Sequence, residues 1–540
     1  MVGLLGSRTG STHGRAAVPP QAAQRLVADW VGPMLGLVLG IDVGTTGLKV
    51  AALNSKGTVV ATTKVPYTAV TRDWHEAEQD PWLWCRAMQR GLGDLRTRLD
   101  LGGVVGVGVS GQTHGLVVVD EGGEPLGPCL TWADTRCHAE AEDLRRRFGD
   151  LVLEECGNPV VEAFTAPKML WAARHWQDRV RGGRLCLPKD FLRWTLTGDW
   201  ATDPSDAAST LVFDLKAQAW SELLANAVGW RTDQLPPIHP SASVVGRVSE
   251  EGAARSGLSV GTPVVTGASD VSCAALGAGL LEPGSTYINI GTAAQVLSVA
   301  PPSRDGHLYT FGHCLAERFL AMGSVYAAGL SLSWFASRFR SYGGNPKRLA
   351  TAFHRLDRLA YTVMPGSRGL VFLPYLSGIS LPVPDPFGRG AFVGLTSGHG
   401  QAECWRAVLE GVGYAIRSVL EDVDEAVSAS RTLVLGGGGG SSRVWSAMLA
   451  SVFGRPVSVL KSEASPVGAA MLAGIGVAMY RDTEEAVRRC VRIRATYEPD
   501  PDAAKYYADG YPVFEELTDR LRPVFPKLAR LAVAREGEKP

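Results

Sequence analysis

Asp42 is the first residue placed to do chemistry. The stretch from Leu37 to Val50, LVLGIDVGTTGLKV, runs apolar up to that carboxylate, turns through Gly44-Thr45-Thr46-Gly47 and runs apolar again. This pattern predicts a β-hairpin with a polar tip. Backbone N–H groups in a short Gly/Thr turn can converge on phosphate oxygens, and a carboxylate at its mouth can hold a hydrated Mg²⁺ beside them. The Walker pattern GxxxxGK[ST] is absent and no helical periodicity follows the glycines directly, so the site would be of a strand-turn-strand kind. An ordinary hairpin carrying an Asp is the alternative that this stretch alone leaves open.

The layout recurs. In STYINIGTAAQVLSV, Ser285 to Val299, the run Ile288-Asn289-Ile290-Gly291-Thr292 stands where Ile41-Asp42-Val43-Gly44-Thr45 stands about 250 residues earlier. Two such hairpins suggest a duplicated domain closing on one nucleotide. Asp in the first copy and Asn in the second would put the metal on one side.

Further candidates lie between and beyond the hairpins. In PVVTGASDVSCAA, Pro263 to Ala275, a short apolar strand breaks to present Asp270 at the start of a helix of small residues. The helix N-terminus would keep that carboxylate ionised, as suits a general base; an N-cap Asp with no catalytic duty fits the same spacing. The strand Val104 to Val109 ends in SGQTHG, Ser110 to Gly115, where Gln112 and His114 offer donors and acceptors to sugar hydroxyls, or else form a polar turn with a surface His. In WADTR, Trp132 to Arg136, the indole offers a face to the C–H surface of a sugar. Asp134 and Arg136 there either hold a substrate or pair with each other. TLVLGGGGG, Thr432 to Gly440, followed by Ser441, Ser442 and a helix near Val444, gives a side-chain-free floor for adenine or its ribose, the alternative being a flexible loop.

The elements that must position these residues are legible as caps and periodicities. Trp74 to Pro81 reads as a polar loop leading through an Asp80 N-cap and Pro81 into a helix, and Phe164 to Trp171 as a helix start with a capping Thr. Leu187 to Asp190 opens another helix, which Thr197-Gly198 ends before a loop, Ala201 to Thr210. A helix starts at Ala327, Leu370 to Gly394 reads as a strand and a long loop, and Gln401 to Val423 fits one buried helix. Val467 to Ala478 is a small-residue helix able to slide during domain closure, and a charged helix pair follows Asp500, with Arg535 to Pro540 fraying.

The whole chain bounds the function class. At 540 residues it has room for two large domains. Lys plus Arg and Asp plus Glu both number 54, so no net charge favours nucleic acid or an acidic membrane. Nine cysteines without a CxxC pair argue for reduced thiols in the cytosol and against a zinc site. No apolar run approaches the roughly 18 residues a membrane span needs. Residues 1 to 33, rich in Gly, Ser, Arg and Pro, read as a disordered extension; Met34 directly precedes the first strand, so the start is open to an early assignment.

Taken together, DVGTTGLKV, SGQTHG, FTAPKMLW, LPKDFLRWTLTGDWATDPSDAAST, LVFLPYLSG, RGAFVGL, RAVLEGVGYAIR and LGGGGGS resemble the FGGY carbohydrate kinases in order and spacing, most closely their xylulokinase-like branch. The resemblance covers Met34 to about Leu531. It implies an α/β, actin-like ATPase fold (the sugar kinase/Hsp70/actin kind), with two RNase H-like domains around a central cleft. It also implies transfer of the ATP γ-phosphoryl to a sugar hydroxyl, most closely that of D-xylulose. The domains implied are a sugar-binding and catalytic one over 34–280, a nucleotide-binding one over 281–499 and a helical tail over 500–540, with a homodimer allowed.

Carried over by position, Asp42 helps hold Mg²⁺, and Gly44, Thr45, Thr46, Gly291 and Thr292 surround the phosphates. Asp270 is the base, Gly437, Gly438 and Gly439 form the adenosine motif, and Thr113 and His114, beside Gln112, are sugar contacts. Departures from the branch are Thr113 for Met, Val271 for the Asn after the base, Ile379-Ser380-Leu381 for Glu-Arg-Thr, and Ser441 where Lys is frequent. Loss of an amide at Val271 is expected to remove a sugar contact. Three readings follow: a ketopentose kinase, a kinase of another polyol, cyclitol or specialised sugar, and a catalytically idle binding protein of the same fold.

Overall fold

The protein is described by a computed structural model over residues 36–533, apart from 69, 72–74, 304, 340–345, 381–383 and 428–431. The expected extension over residues 1–33, Trp74, Leu381 and Arg535 to Pro540 lie outside the described residues.

Both Gly-Thr turns join antiparallel strands. β1 (Leu37–Val43) pairs with β2 (Gly47–Asn54), which pairs with β3 (Val59–Pro66). On its other side β1 takes β4 (Val104–Gly111) in parallel, and β4 takes β5 (Pro263–Val265), also in parallel. The order is β5-β4-β1-β2-β3, with Val244–Arg247 antiparallel beyond β5 and the short strand Ala268–Ser269 also on β4; helix α1 (Asp270–Ala278) follows that short strand. The second half repeats this plan. β6 (Ser285–Ile290), β7 (Ala294–Val299) and β8 (Phe319–Val325) pair antiparallel in that order, and the strand Tyr309–Gly312, which precedes β8 in the chain, adds beyond it. After the long helix α2 (Gln401–Ala426), β9 (Thr432–Gly436) and β10 (Val457–Leu460) add in parallel, giving β8-β7-β6-β9-β10. The two sheets are the duplicated core that the paired hairpins predicted.

Strand register explains what surrounds Asp42. Residues directly opposite in a ladder share a face of the sheet. Asp42 stands opposite Lys49 on β2 and beside Ser110 on β4. In the second copy Asn289 stands opposite Gln295, a neutral amide pair where the first copy has charges.

The first sheet is buried on both faces. Helix Pro81–Arg96 sets Trp84, Met88 and Leu92, four residues apart, against one face. The other face takes α3 (Ala464–Gly476), whose Ala469, Ala470 and Leu472 are buried there although α3 follows β10 of the second sheet in the chain. A Cβ at Gly40 would overlap the Pro466 carbonyl oxygen, and one at Gly108 the Ala469 carbonyl oxygen. The helix backbone therefore rests directly on β1 and β4, an approach only glycine permits. The small-residue helix expected here thus couples the two halves.

Several local expectations change. The polar loop before Pro81 contains a short strand, Ala77–Gln79, with Glu78 and Gln79 buried, because it pairs with Cys129–Leu130. Thr165 does not cap its helix: Phe164 holds the N-cap position, and Thr165 lies inside with its hydroxyl unpartnered. The loop Ala201 to Thr210 holds a helical turn, Pro204–Ala207, and a 3₁₀ turn, Ala208–Thr210, both buried. The long loop after Leu370 returns as a strand, Ala391–Val393, that pairs with Val371–Leu373. Among the described residues no helix is long and apolar enough to cross a membrane, and all nine cysteines are unpaired.

Candidate active site

Asp42 is 3 % exposed, and the Ser110 hydroxyl donates to its Oδ1 at 3.0 Å. Burial raises its pKa, partly offset by Lys49 and by that hydrogen bond. Lys49 bonds Glu463 across 3.1 Å; burial opposes its charge, but Asp42 and Glu463 outweigh that and hold it protonated. Glu463 directly precedes α3, so this pair links the first hairpin to the second half of the chain. Lys49 and Glu463 were missed in the sequence, although pairing across the hairpin assigns Lys49 to the position opposite Asp42.

The turn itself is fastened from several sides. The Gly44 N–H closes it on the Gly47 carbonyl at 3.1 Å, the Tyr67 hydroxyl donates to the Gly44 carbonyl at 2.6 Å, and the Gln79 amide donates to the Thr45 carbonyl at 2.7 Å. The Thr45 hydroxyl donates to Gln112 Oε1 at 3.2 Å and accepts from Trp132 Nε1 at 2.9 Å. Gln112 Nε2 in turn donates to Gln79 Oε1 at 2.7 Å. Trp132 thus brackets the turn. Arg136 pairs with Asp134 and Glu78, each at 2.8 Å, which answers the choice between ligand contact and ion pair in favour of the pair.

Asp270 opens α1, but Ser269 is the N-cap, its hydroxyl accepting from the Ser272 N–H at 3.2 Å. The plain N-cap reading of Asp270 therefore fails. Its Oδ1 accepts from the Val271 N–H at 2.9 Å, and the Thr113 backbone also favours its charge. Burial and the nearby Asp42 charge outweigh both and push its pKa up to about 7. The helix terminus does not hold it in the ordinary carboxylate range, because burial beside a second carboxylate disfavours its charge. Val271 packs into an apolar cluster with Tyr287, Phe311 and Met322, so the side chain at this position belongs to a hydrophobic contact with the second half.

His114 is no surface residue. It is 8 % exposed with φ of 67°, and its ring lies 4.3 Å from that of Phe164 and 5.6 Å from that of Phe311. Nδ1 lies 2.7 Å from the Ser209 carbonyl oxygen, which can only accept, so Nδ1 carries the hydrogen. Burial lowers the pKa to about 3, leaving a neutral ring with Nε2 as an acceptor. Thr113, beside it, is also buried.

The second half supplies a cleft of about 430 Å³. Gly291, Thr292, Gly438, Gly439, Phe353 and Asp357 are among its walls. The Gly291 N–H closes its turn on the Ala293 carbonyl at 2.9 Å, much as Gly44 does in the first copy. A Cβ at Gly438 would meet only the Ile290 carbonyl oxygen, 3.9 Å away, whereas Gly437, with φ of 73°, shapes the turn behind the cleft. Asp357 accepts from the Ser442 hydroxyl at 2.7 Å and from Trp405 Nε1 at 3.3 Å, a wall group the sequence did not reveal. The volume suits a nucleoside-sized ligand.

A duplicated β-sheet core with paired carboxylates on one half and a glycine-floored cleft on the other defines an actin-like phosphotransferase. The family models agree: "FGGY family of carbohydrate kinases, N-terminal domain" matches residues 37–277, and "FGGY family of carbohydrate kinases, C-terminal domain" matches 286–477. The chain is 33 % identical to a xylulose kinase of Staphylococcus epidermidis over 491 residues, 89 % of this chain and 96 % of that one. Its fold is similar to the crystal structure of xylulose kinase from Rhodospirillum rubrum, with a TM-score of 0.79 and 31 % identity over 91 % and 99 % of the two chains. It is also similar to gluconate kinase from Lactobacillus acidophilus, with a TM-score of 0.82 and 25 % identity over 92 % and 100 %. The chain belongs to the FGGY family of carbohydrate kinases, phosphotransferases that use ATP and an alcohol acceptor.

Proposed function

We propose that this chain transfers the γ-phosphoryl of ATP to a hydroxyl of a ketopentose, D-xylulose giving D-xylulose 5-phosphate. The observation that carries the reaction is the strand register at the end of β4, where Asp42 stands beside Ser110 on one side and Ser269, directly before Asp270, stands beside Gly111 on the other, so that both carboxylates flank one buried strand end. In this reading Asp270 accepts the hydroxyl proton as the oxygen attacks phosphorus, and a base with a pKa of about 7 suits a reaction near neutral pH. The Thr45, Thr46 and Thr292 N–H groups receive phosphate oxygens, while Gly44 and Gly291 close their turns and keep side chains out of the way. Gly437, Gly438 and Gly439 form the adenosine floor. Residues 34–280 carry acceptor and base and 281–499 the nucleotide, with 500–540 as a C-terminal tail.

Mg²⁺ fits Asp42, since this ion asks for one or two carboxylates and completes its shell with phosphates and water, and it would supply charge neutralisation there. Among the described residues no cluster of three His, Cys, Asp or Glu side chains exists that would hold a metal alone.

A neutral sugar suits the acceptor side better than a sugar acid. Lys168 donates to the carbonyls of Glu162, Ala163 and Phe164. Lys189 meets the carboxylates of Asp190, Asp203 and Asp206, and Arg136 those of Asp134 and Glu78. With these cations engaged, His114 Nε2 and the Thr113 group are left to meet hydroxyls, whereas Gln112, expected from the sequence as a sugar contact, has its amide committed to Thr45 and Gln79. The test is ATP consumption with D-xylulose, gluconate, polyols and cyclitols, with Asp270→Ala as control. Turnover with D-xylulose that is lost in the variant supports the reading, and turnover with gluconate alone overturns the choice of sugar.

A further inference from the structure

We propose that Ser205 is a positioning residue for Asp270, the relay end of a buried chain that runs from Lys189 through Asp203 and Ser205 to the Ser269 N–H. It rests on the reading of Asp270 as base. The Lys189 ammonium lies 3.1 Å from Asp203 Oδ1. Asp203 Oδ2 accepts from the Ser205 hydroxyl at 2.6 Å, from the Ser205 N–H at 3.1 Å and from the Ser241 hydroxyl at 2.8 Å. The Ser205 hydroxyl, its hydrogen engaged by the carboxylate, accepts from the Ser269 N–H at 3.0 Å. Lys189, Asp203, Ser205 and Ser269 are all fully buried.

The chain ends where the geometry of the base is set. Ser269 closes the short strand Ala268–Ser269, which pairs with Ser110 and Gly111 of β4, and it caps α1, whose first residue is Asp270. A hydroxyl polarised by a buried carboxylate is a stronger acceptor than a free one, so the Ser269 N–H is held by more than an ordinary neutral contact. Without it, an N–H one residue before the base would be buried and unpartnered. The same segment fixes the other side of the acceptor site, because the Ser209 carbonyl holds His114 Nδ1. Residues 203–210, which the sequence presents as a loop, are thus one buried brace under both the base and the acceptor-side His.

The experiment compares wild type with Ser205→Ala, Ser205→Cys and Thr210→Ala. Thr210 is equally buried in the same segment, but its hydroxyl donates to the Ala207 carbonyl and does not reach Ser269. Hydrogen exchange of a peptide spanning residues 268–276 is read first, because it needs no acceptor. Exchange should quicken in Ser205→Ala and Ser205→Cys but not in Thr210→Ala; equal exchange in all four proteins would overturn the proposal. With the acceptor in hand, Ser205→Ala should lower kcat about tenfold or more with KM for ATP and acceptor within about twofold. A change confined to KM, or kcat within about twofold of wild type, overturns it as well. Should Ser205→Ala fail to fold, Ser205→Cys, close to Ser in size and a weaker acceptor, is read the same way. Asp270→Asn turning over at the wild-type rate would instead remove the base reading, leaving the exchange result to stand alone.

Discussion

Replacing Asp270 by Asn should abolish phosphoryl transfer and stabilise the fold. In the folded chain the Asp270 pKa stands at about 7, against 3.8 for an ordinary Asp, because burial and Asp42 disfavour its charge. Between these values the folded state binds the extra proton, so raising the pH through this window removes stability, and above it the full penalty applies. Roughly three pKa units at about 1.4 kcal/mol each set that penalty near 4 kcal/mol. About half of it develops between pH values of about 5.5 and about 8.5. Asn cannot ionise, and its Oδ1 still accepts from the Val271 N–H, so the variant escapes most of the penalty. For 540 residues and a specific unfolding entropy of roughly 2 cal/mol/K per residue, 1 kcal/mol moves Tm by about 1 °C. The assay is thermal and urea unfolding of wild type and Asp270→Asn in chelator at both pH values. Asp270→Asn should melt about 2–4 °C higher at the alkaline value, with the gap roughly halved at the acid one. A variant no more stable than wild type at alkaline pH, or a gap independent of pH, would refute the reasoning.

Gly40→Ala should leave little soluble folded protein, because its Cβ would overlap the Pro466 carbonyl and push α3 off the sheet; a loss of about 3 kcal/mol or more is expected, read by urea unfolding. Gly438→Val would project into the cleft and should raise KM for ATP about tenfold or more, with Tm and acceptor KM little changed. Lys49→Met removes the partner of both Asp42 and Glu463, so at least a hundredfold loss of kcat/KM is expected, with the Asp270 pKa, read by pH–rate profile, moving further up. In the absence of acceptor, ATP hydrolysis should be slow; sugar-free turnover as fast as the kinase reaction would count against closure driven by substrate.

The sequence alone determined the hairpins, their duplication and the cap signals. These rest on local rules: period-two apolar runs, Gly/Thr turns, and Asp80 before Pro81, which does cap its helix. Gly198 likewise ends its helix where its place predicted, in the left-handed conformation that glycine favours. Asp42 and Asp270 were legible as chemistry because carboxylates at the ends of buried strands are rare. Their pKa relation was not, since desolvation and mutual repulsion depend on distances no local pattern encodes.

Only the tertiary structure decided the rest. It turned His114 from a polar-turn residue into a buried neutral acceptor, because Ser209, Phe164 and Phe311 reach it from 50 to 197 residues away. It engaged the Thr45 hydroxyl with Gln112 and Trp132, and gave Val271 to an apolar cluster. It also laid α3, late in the chain, on the first sheet through Gly40 and Gly108. Local propensity fixes which residues can stand at a turn. Which groups share a low-dielectric site is set by packing between distant segments, where burial and charge are summed over neighbours that the chain order does not reveal.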